Sequence, residues 1–181
     1  MQGTGRYDGR AMIELRINGE LQQVDAPAGE PLLYVLSNAL GLTGPRFGCG
    51  LAQCGSCSVL VDDVERRACV TPVGTVAGRE ITTLEGLPRW HALRSGQPVP
   101  SNGALPLHPV QQALIDEAAP QCGYCMNGMA IKAAELLAAT PDPDDAQIRA
   151  AMNGHLCRCG TYPRILAAIR RAARVMRERK A

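Results

Sequence analysis

Eight cysteines stand in this chain, at positions 49, 54, 57, 69, 122, 125, 157 and 159. Thiols in such numbers ligate metal, pair as disulfides or attack a substrate, and their spacing separates these chemistries. Cys49, Cys54 and Cys57 follow C-x4-C-x2-C, by which one loop wraps a [2Fe–2S] cluster and leaves a fourth thiolate to come from elsewhere. Gly48, Gly50 and Gly55 suit that loop, because residues without Cβ let the backbone turn and bring N–H groups close to sulfur. Cys69 is the candidate fourth ligand, placed on a predicted strand and folded back by a turn at Asp62-Asp63. Taken by itself, Cys69 also reads as a small buried hydrophobe.

The remaining cysteines form C-x2-C, Cys122 and Cys125, and C-x-C, Cys157 and Cys159, each at the opening of a predicted helix. Thiolates there are favoured by the helix dipole and could hold a second site. Spacing alone leaves iron–sulfur and zinc both open, although C-x-C is the less usual pattern for structural zinc. Disulfides are disfavoured: the first residues lack the apolar run of a secretory signal, and a chain of 181 residues can bury a core without covalent staples. By that absence the chain reads as cytoplasmic, with a periplasmic or membrane-associated place open through a partner.

Other chemistry is poorly represented. His91, His108 and His155 have no carboxylate at motif spacing and read as surface or capping residues. His155 lies close enough to Cys157 to be a ligand, but the complete cysteine set makes it unnecessary. Neither a dinucleotide-binding nor a P-loop glycine pattern occurs, Gly3-Thr-Gly5 missing the spacing, so no flavin or nicotinamide nucleotide is expected by those means. No catalytic residue is assigned to this chain. Nineteen Lys and Arg against seventeen Asp and Glu give a net charge of +2, too little excess for a nucleic-acid partner. No stretch approaches the roughly 18 apolar residues of a membrane span, so no membrane insertion is expected.

The elements that must position these thiols can be read from periodicity. Met12 to Ile17 and Glu20 to Val24 alternate around Asn18-Gly19, a hairpin signal. Leu32 to Leu40 recur at helical spacing after Pro31. Ser58 to Val61, Val64 to Val70 and Glu80 to Leu84 read as strands, making an α+β domain over residues 11–86. Residues 87–107, rich in Pro, read as a linker. Over residues 108–178 the pattern turns helical, with predicted helices at Val110 to Ala118, Met126 to Ala139, Asp144 to Met152 and Arg164 to Met176. Asp144 is a candidate N-cap. Arg170, Arg171, Arg174, Arg177, Arg179 and Lys180 crowd the last helix end and read as a solvated basic face or as a docking patch for an acidic partner. Aromatics make up only 3% of the chain, so the core must come from Leu, Ile, Val and Ala.

Three segments together carry a resemblance: Gly48-Cys-Gly-Leu-Ala-Gln-Cys-Gly-Ser-Cys57, Gln121-Cys-Gly-Tyr-Cys125 and Leu156-Cys-Arg-Cys-Gly-Thr-Tyr-Pro163. In this order they are similar to the iron–sulfur subunit of the molybdenum hydroxylase, or xanthine oxidase, family, over roughly residues 11 to 175. The resemblance implies a β-grasp, plant-type ferredoxin-like domain followed by a four-helix-bundle domain, each with one [2Fe–2S] cluster. It assigns Cys49, Cys54, Cys57 and Cys69 to the first cluster and Cys122, Cys125, Cys157 and Cys159 to the second. It further implies a large partner subunit that binds molybdopterin and oxidises or hydroxylates an aldehyde or N-heteroaromatic substrate, with Gln121 near the pterin. Electrons would leave through both clusters to an external acceptor, a cytochrome c or flavin subunit. Two rival readings stand beside it: a zinc-stabilised interaction module, and a free-standing ferredoxin.

Overall fold

The computed structural model describes residues 9–100 and 105–179; Gly3, Gly5 and Lys180 lie outside the described residues. Strands β1 (Arg10–Ile17), β2 (Glu20–Pro27), β3 (Ser58–Val61), β4 (Val64–Arg67) and β5 (Glu80–Thr82) form one sheet in the order β2-β1-β5-β3-β4. The β1–β2 hairpin turns at Asn18-Gly19, with Ile13 opposite Val24 and Leu15 opposite Gln22. Strand β5 pairs parallel to β1 and antiparallel to β3, so Ile81 sits between Ile17 and Val61 at the sheet centre. The segment after Pro31 forms α1 (Leu32–Tyr34) and runs on as a π-helical turn, Val35–Ala39, a shorter helical piece than its apolar spacing suggests. Its Leu32, Leu33, Val35 and Leu36 pack with Ile13, Leu15, Val59 and Val61 in the first core.

Strand β3 is buried along its whole length. Val59 and Val61 face the first core, whereas Leu60 packs into a second core built by the helices, as alternation along a strand requires. That second core lies between α3 (Pro109–Asp116), α4 (Met126–Ala139), α5 (Asp145–Ala151) and α6 (Tyr162–Glu178). Ala130, Ala133 and Ala134 of α4 and Ala168, Ala172 and Ala173 of α6 are all buried in it. Small side chains let these helices approach closely, the consequence of a core with few aromatics.

Two expectations need correction. Residues 87–94 are helical, α2 (Leu87–Arg94), where the sequence shows no clear period; Pro88 occupies the first turn and Leu87, Trp90 and Ala92 are buried. Strand β4 ends at Arg67, so Cys69 sits in the turn after it: Ala68 donates to the Cys57 carbonyl at 3.3 Å and accepts from Leu33 at 3.1 Å. The basic end of α6 stays exposed, and part of its charge is met by carboxylates of neighbouring elements. Arg170 and Arg177 pair with Asp145 and Asp142, and Arg171 lies 3.1 Å from Asp116. Asp144 caps α5 and shares a capping box with Gln147.

Candidate metal centres

The loop from Gly48 to Cys57 curls so that its own N–H groups point at sulfur. Cys49 Sγ accepts from Leu51 at 3.3 Å and from Gln53 at 3.2 Å, and Cys54 Sγ accepts from the Cys49 amide at 3.4 Å. Gly48 is required by this packing: a Cβ there would lie 2.7 Å from Cys54 Sγ. Burial works to raise the Cys49 thiol, but the donated amides outweigh it and bring it down to about 7. Burial pushes Cys57 up to about 12, with Cys69 beside it. The loop therefore supplies donors to the outer sulfurs and leaves the inner ones dry.

The second set follows the same plan. Cys125 stands directly before α4 and is raised by burial to about 12, with Cys157 against it. Burial also works to raise Cys157, but Thr161 Oγ1, 3.4 Å from its sulfur, helps bring it to about 7. The Cys157 amide donates to Tyr162 Oη at 2.8 Å, and Cys159 Sγ lies 3.4 Å from Cys122 Sγ. All eight cysteines are free thiols.

The sulfurs meet in twos: Cys49 with Cys54, Cys57 with Cys69, Cys122 with Cys159, and Cys125 with Cys157. Two facing pairs of thiols per site suit a group with two metal atoms, two thiolates on each. Gln121 is exposed beside Cys122, at the edge of a cleft of about 510 Å³ that also takes Gly160, Thr161 and Arg164.

The two thiol sets are joined by backbone. The Leu156 amide, next to Cys157, donates to the Cys54 carbonyl at 3.0 Å. Asn127 Nδ2 donates to the carbonyls of Ser56 and Ser58, at 2.8 and 2.9 Å, and Tyr124 Oη donates to the Phe47 carbonyl. His155, expected at the surface, is 3% exposed. Its Nε2 is 2.8 Å from Glu65 Oε1 and 2.9 Å from Arg67, a buried polar cluster that also takes in Ser58. Burial works to raise the Glu65 carboxyl, but His155, Ser58 and Arg67 outweigh it and hold it at about 2. His155 is thus tied to Glu65 and Arg67 beside the second thiol set. His108 caps α3, its Nδ1 accepting from Val110 at 3.0 Å, and is wholly buried.

Two sets of paired, amide-solvated thiols, locked to each other by hydrogen bonds to main-chain carbonyls, define an iron–sulfur protein made to pass electrons. The comparisons agree. Residues 15–74 match the 2Fe-2S iron-sulfur cluster binding domain, and residues 96–170 match the [2Fe-2S] binding domain. The chain is 50% identical to a nicotinate dehydrogenase subunit of Pseudomonas putida over 92% of its own length and 97% of that protein. It is 46% identical to the alpha subunit of isoquinoline 1-oxidoreductase of Brevundimonas diminuta, over 90% and 98%. The fold superposes on quinoline 2-oxidoreductase from Pseudomonas putida 86 with a TM-score of 0.81 and 32% identity, covering 96% of this chain and 99% of the other. The chain belongs to the family of small iron–sulfur subunits of the molybdenum hydroxylases, and its part in such an oxidoreductase is electron transfer. No helix of the described residues is long and apolar enough to cross a membrane.

Proposed function

We propose that this chain carries electrons from a molybdopterin-binding partner subunit, which oxidises or hydroxylates an N-heteroaromatic or aldehyde substrate, to an external acceptor. In this reading Cys49, Cys54, Cys57 and Cys69 hold one [2Fe–2S] cluster and Cys122, Cys125, Cys157 and Cys159 the other. When bound, the clusters accept and release electrons singly. The protein's part is to keep the two sites at fixed separation, keep water from the inner sulfurs and set potential by amide donation. The observation that carries the reading is the hydrogen bond from Leu156 to Cys54, because it welds the two ligand loops into one body.

The chain divides accordingly into a ferredoxin-like domain at 11–86, a connecting segment at 87–107 and a helical domain at 108–178. Two separate apolar cores support that division. Gln121 and the cleft beside Cys122 and Cys159 form the face turned to the pterin. The acceptor, a cytochrome c or flavin subunit, docks at the first loop, where Phe47 and Leu51 are exposed. Isolation of the native assembly tests the reading. A large molybdopterin-containing chain should co-purify, and substrate should bleach the visible [2Fe–2S] absorption. A colourless chain carrying zinc, or one isolated without a companion, would overturn it.

A further inference from the structure

Between the β1–β2 turn, the start of β5 and helix α2 lies a cleft of about 390 Å³ that no cysteine lines. Arg16, Arg89 and Arg94 line it together with Asp63 and Glu80. Both carboxylates are already engaged. Asp63 accepts from Trp90 Nε1 and from Arg94, each at 2.6 Å. Glu80 accepts from the Gly19 amide at 2.8 Å and faces Arg16 at 3.9 Å.

Arg89 is left over. Among the described residues its guanidinium has no hydrogen-bond acceptor and no carboxylate partner, and its Nε is completely buried. A guanidinium cannot shed its charge to relieve this, and a buried donor without an acceptor is costly. The surroundings are shaped to keep it there: a Cβ at Gly19 would lie 2.3 Å from Arg89 Nε, so only glycine lets the head group settle so deep. Arg94 is held over the Trp90 ring at 5.0 Å, which fixes a second cation at the cleft wall. With two of the three arginines matched by Asp63 and Glu80, the cleft keeps one unmatched positive charge in a planar fork.

We propose that this cleft is an oxyanion site, taking one carboxylate or phosphate group on Arg89, with Arg16 and Arg94 at its flanks. The guanidinium fork matches such a group with two parallel N–H···O bonds. The anion comes either free from solution or as an acidic side chain of the partner subunit, and the chemistry is the same in both cases.

The test uses the complete chain with its clusters loaded, titrated with inorganic phosphate against chloride at equal ionic strength and followed by calorimetry. Arg89→Met keeps the packed stem and removes the charge; Arg89→Lys keeps the charge and removes the fork. Saturable phosphate binding is expected in the wild-type chain, at least tenfold weaker in Arg89→Met and intermediate in Arg89→Lys, with [2Fe–2S] absorption unchanged in both. Should Arg89→Met fail to load its clusters, the Lys variant carries the comparison alone. Repeating the titration on the complete assembly separates the sources: binding retained there means a free anion, and binding lost there means that a carboxylate of the partner fills the cleft. No saturable binding to the isolated chain, or binding that the Arg89 variants leave unchanged, overturns the proposal. The isolated-chain titration does not depend on the electron-transfer reading, so the two can fail separately.

Discussion

The Cα of Gly128, in the first turn of α4, rests against the carbonyl of Gly55: a Cβ at Gly128 would lie 2.1 Å from that oxygen. Neither partner has a side chain that could move aside, so the contact sets how closely the helical half approaches the first ligand loop. Gly128→Ala should therefore cost more than an ordinary glycine replacement in a helix, which is mildly favourable. A loss of about 1–3 kcal/mol is expected from overpacking against backbone, read as a lower midpoint in chemical denaturation. A variant as stable as the wild type would show that the two halves can separate without penalty.

Glu65→Gln removes the charge that faces Arg67 and leaves the guanidinium half-buried, with side-chain exposures of only 11% and 17% for the pair. Breaking a buried pair from one side costs about 3–5 kcal/mol. The double variant Glu65→Gln, Arg67→Met should recover part of that loss, which a denaturation-based double-mutant cycle would measure. Since the Glu65 carboxyl is held at about 2, below its usual 4.5, its contribution is fully present above pH 4.5 and disappears as pH falls toward 2.

Acid sensitivity should also have a second source. Burial, with His91 nearby, depresses His108 from 6.5 to about 3. Between those values the unfolded chain takes up a proton that the folded one refuses, so stability falls as pH drops through the window. His108→Asn preserves an N-cap acceptor but cannot titrate. Thermal midpoints measured across pH 6.5 to about 3 should decline less steeply in the variant than in the wild type; parallel declines would remove His108 from the account.

Metal content should follow the proposed ligand sets. The wild-type chain is expected to hold about four irons and about four acid-labile sulfides. Cys57→Ala should lower iron to about two per chain while the second cluster keeps its EPR signal, and Cys157→Ala should do the converse. A Cys57→Ala chain with both clusters intact would disprove that ligand.

The order of the two sites can be read kinetically. With the helical-domain cluster destroyed and the large subunit retained, substrate should leave the first cluster oxidised. With Cys54 replaced, substrate should still reduce the second cluster while turnover with an external acceptor stops. Rapid-freeze EPR on both assemblies distinguishes these; fast reduction of the first cluster without the second would reverse the path.

Much of this architecture can be read from local sequence. The cysteine spacings, the Asn18-Gly19 hairpin and the Asp144 cap depend on residues within a few positions of each other, and their geometry follows from that proximity. Glu65 and His155 are different, being ninety residues apart and brought together only by tertiary packing. Nothing around His155 says that it is buried. Asn127 likewise reads as a polar helix residue, although its amide bridges the carbonyls of Ser56 in the first ligand loop and Ser58 at the start of β3. Helix α2 escaped because Pro88 and scattered polar residues obscure a pattern that burial of Leu87 and Trp90 alone imposes. Cys69 was legible as a candidate but not as a turn residue, since Val64 to Val70 continues a strand-like composition past the point where pairing stops at Arg67.

Leu60 has a bearing on how the molecule is manufactured. It projects from the middle of the first domain into a core whose other members, from Leu87 to Ala173, are synthesised later. While the ribosome is still completing the chain, the newly made sheet must therefore present a bare leucine to water or to a chaperone. The strand that follows Cys57 is not sealed until α4 has emerged and closed over it.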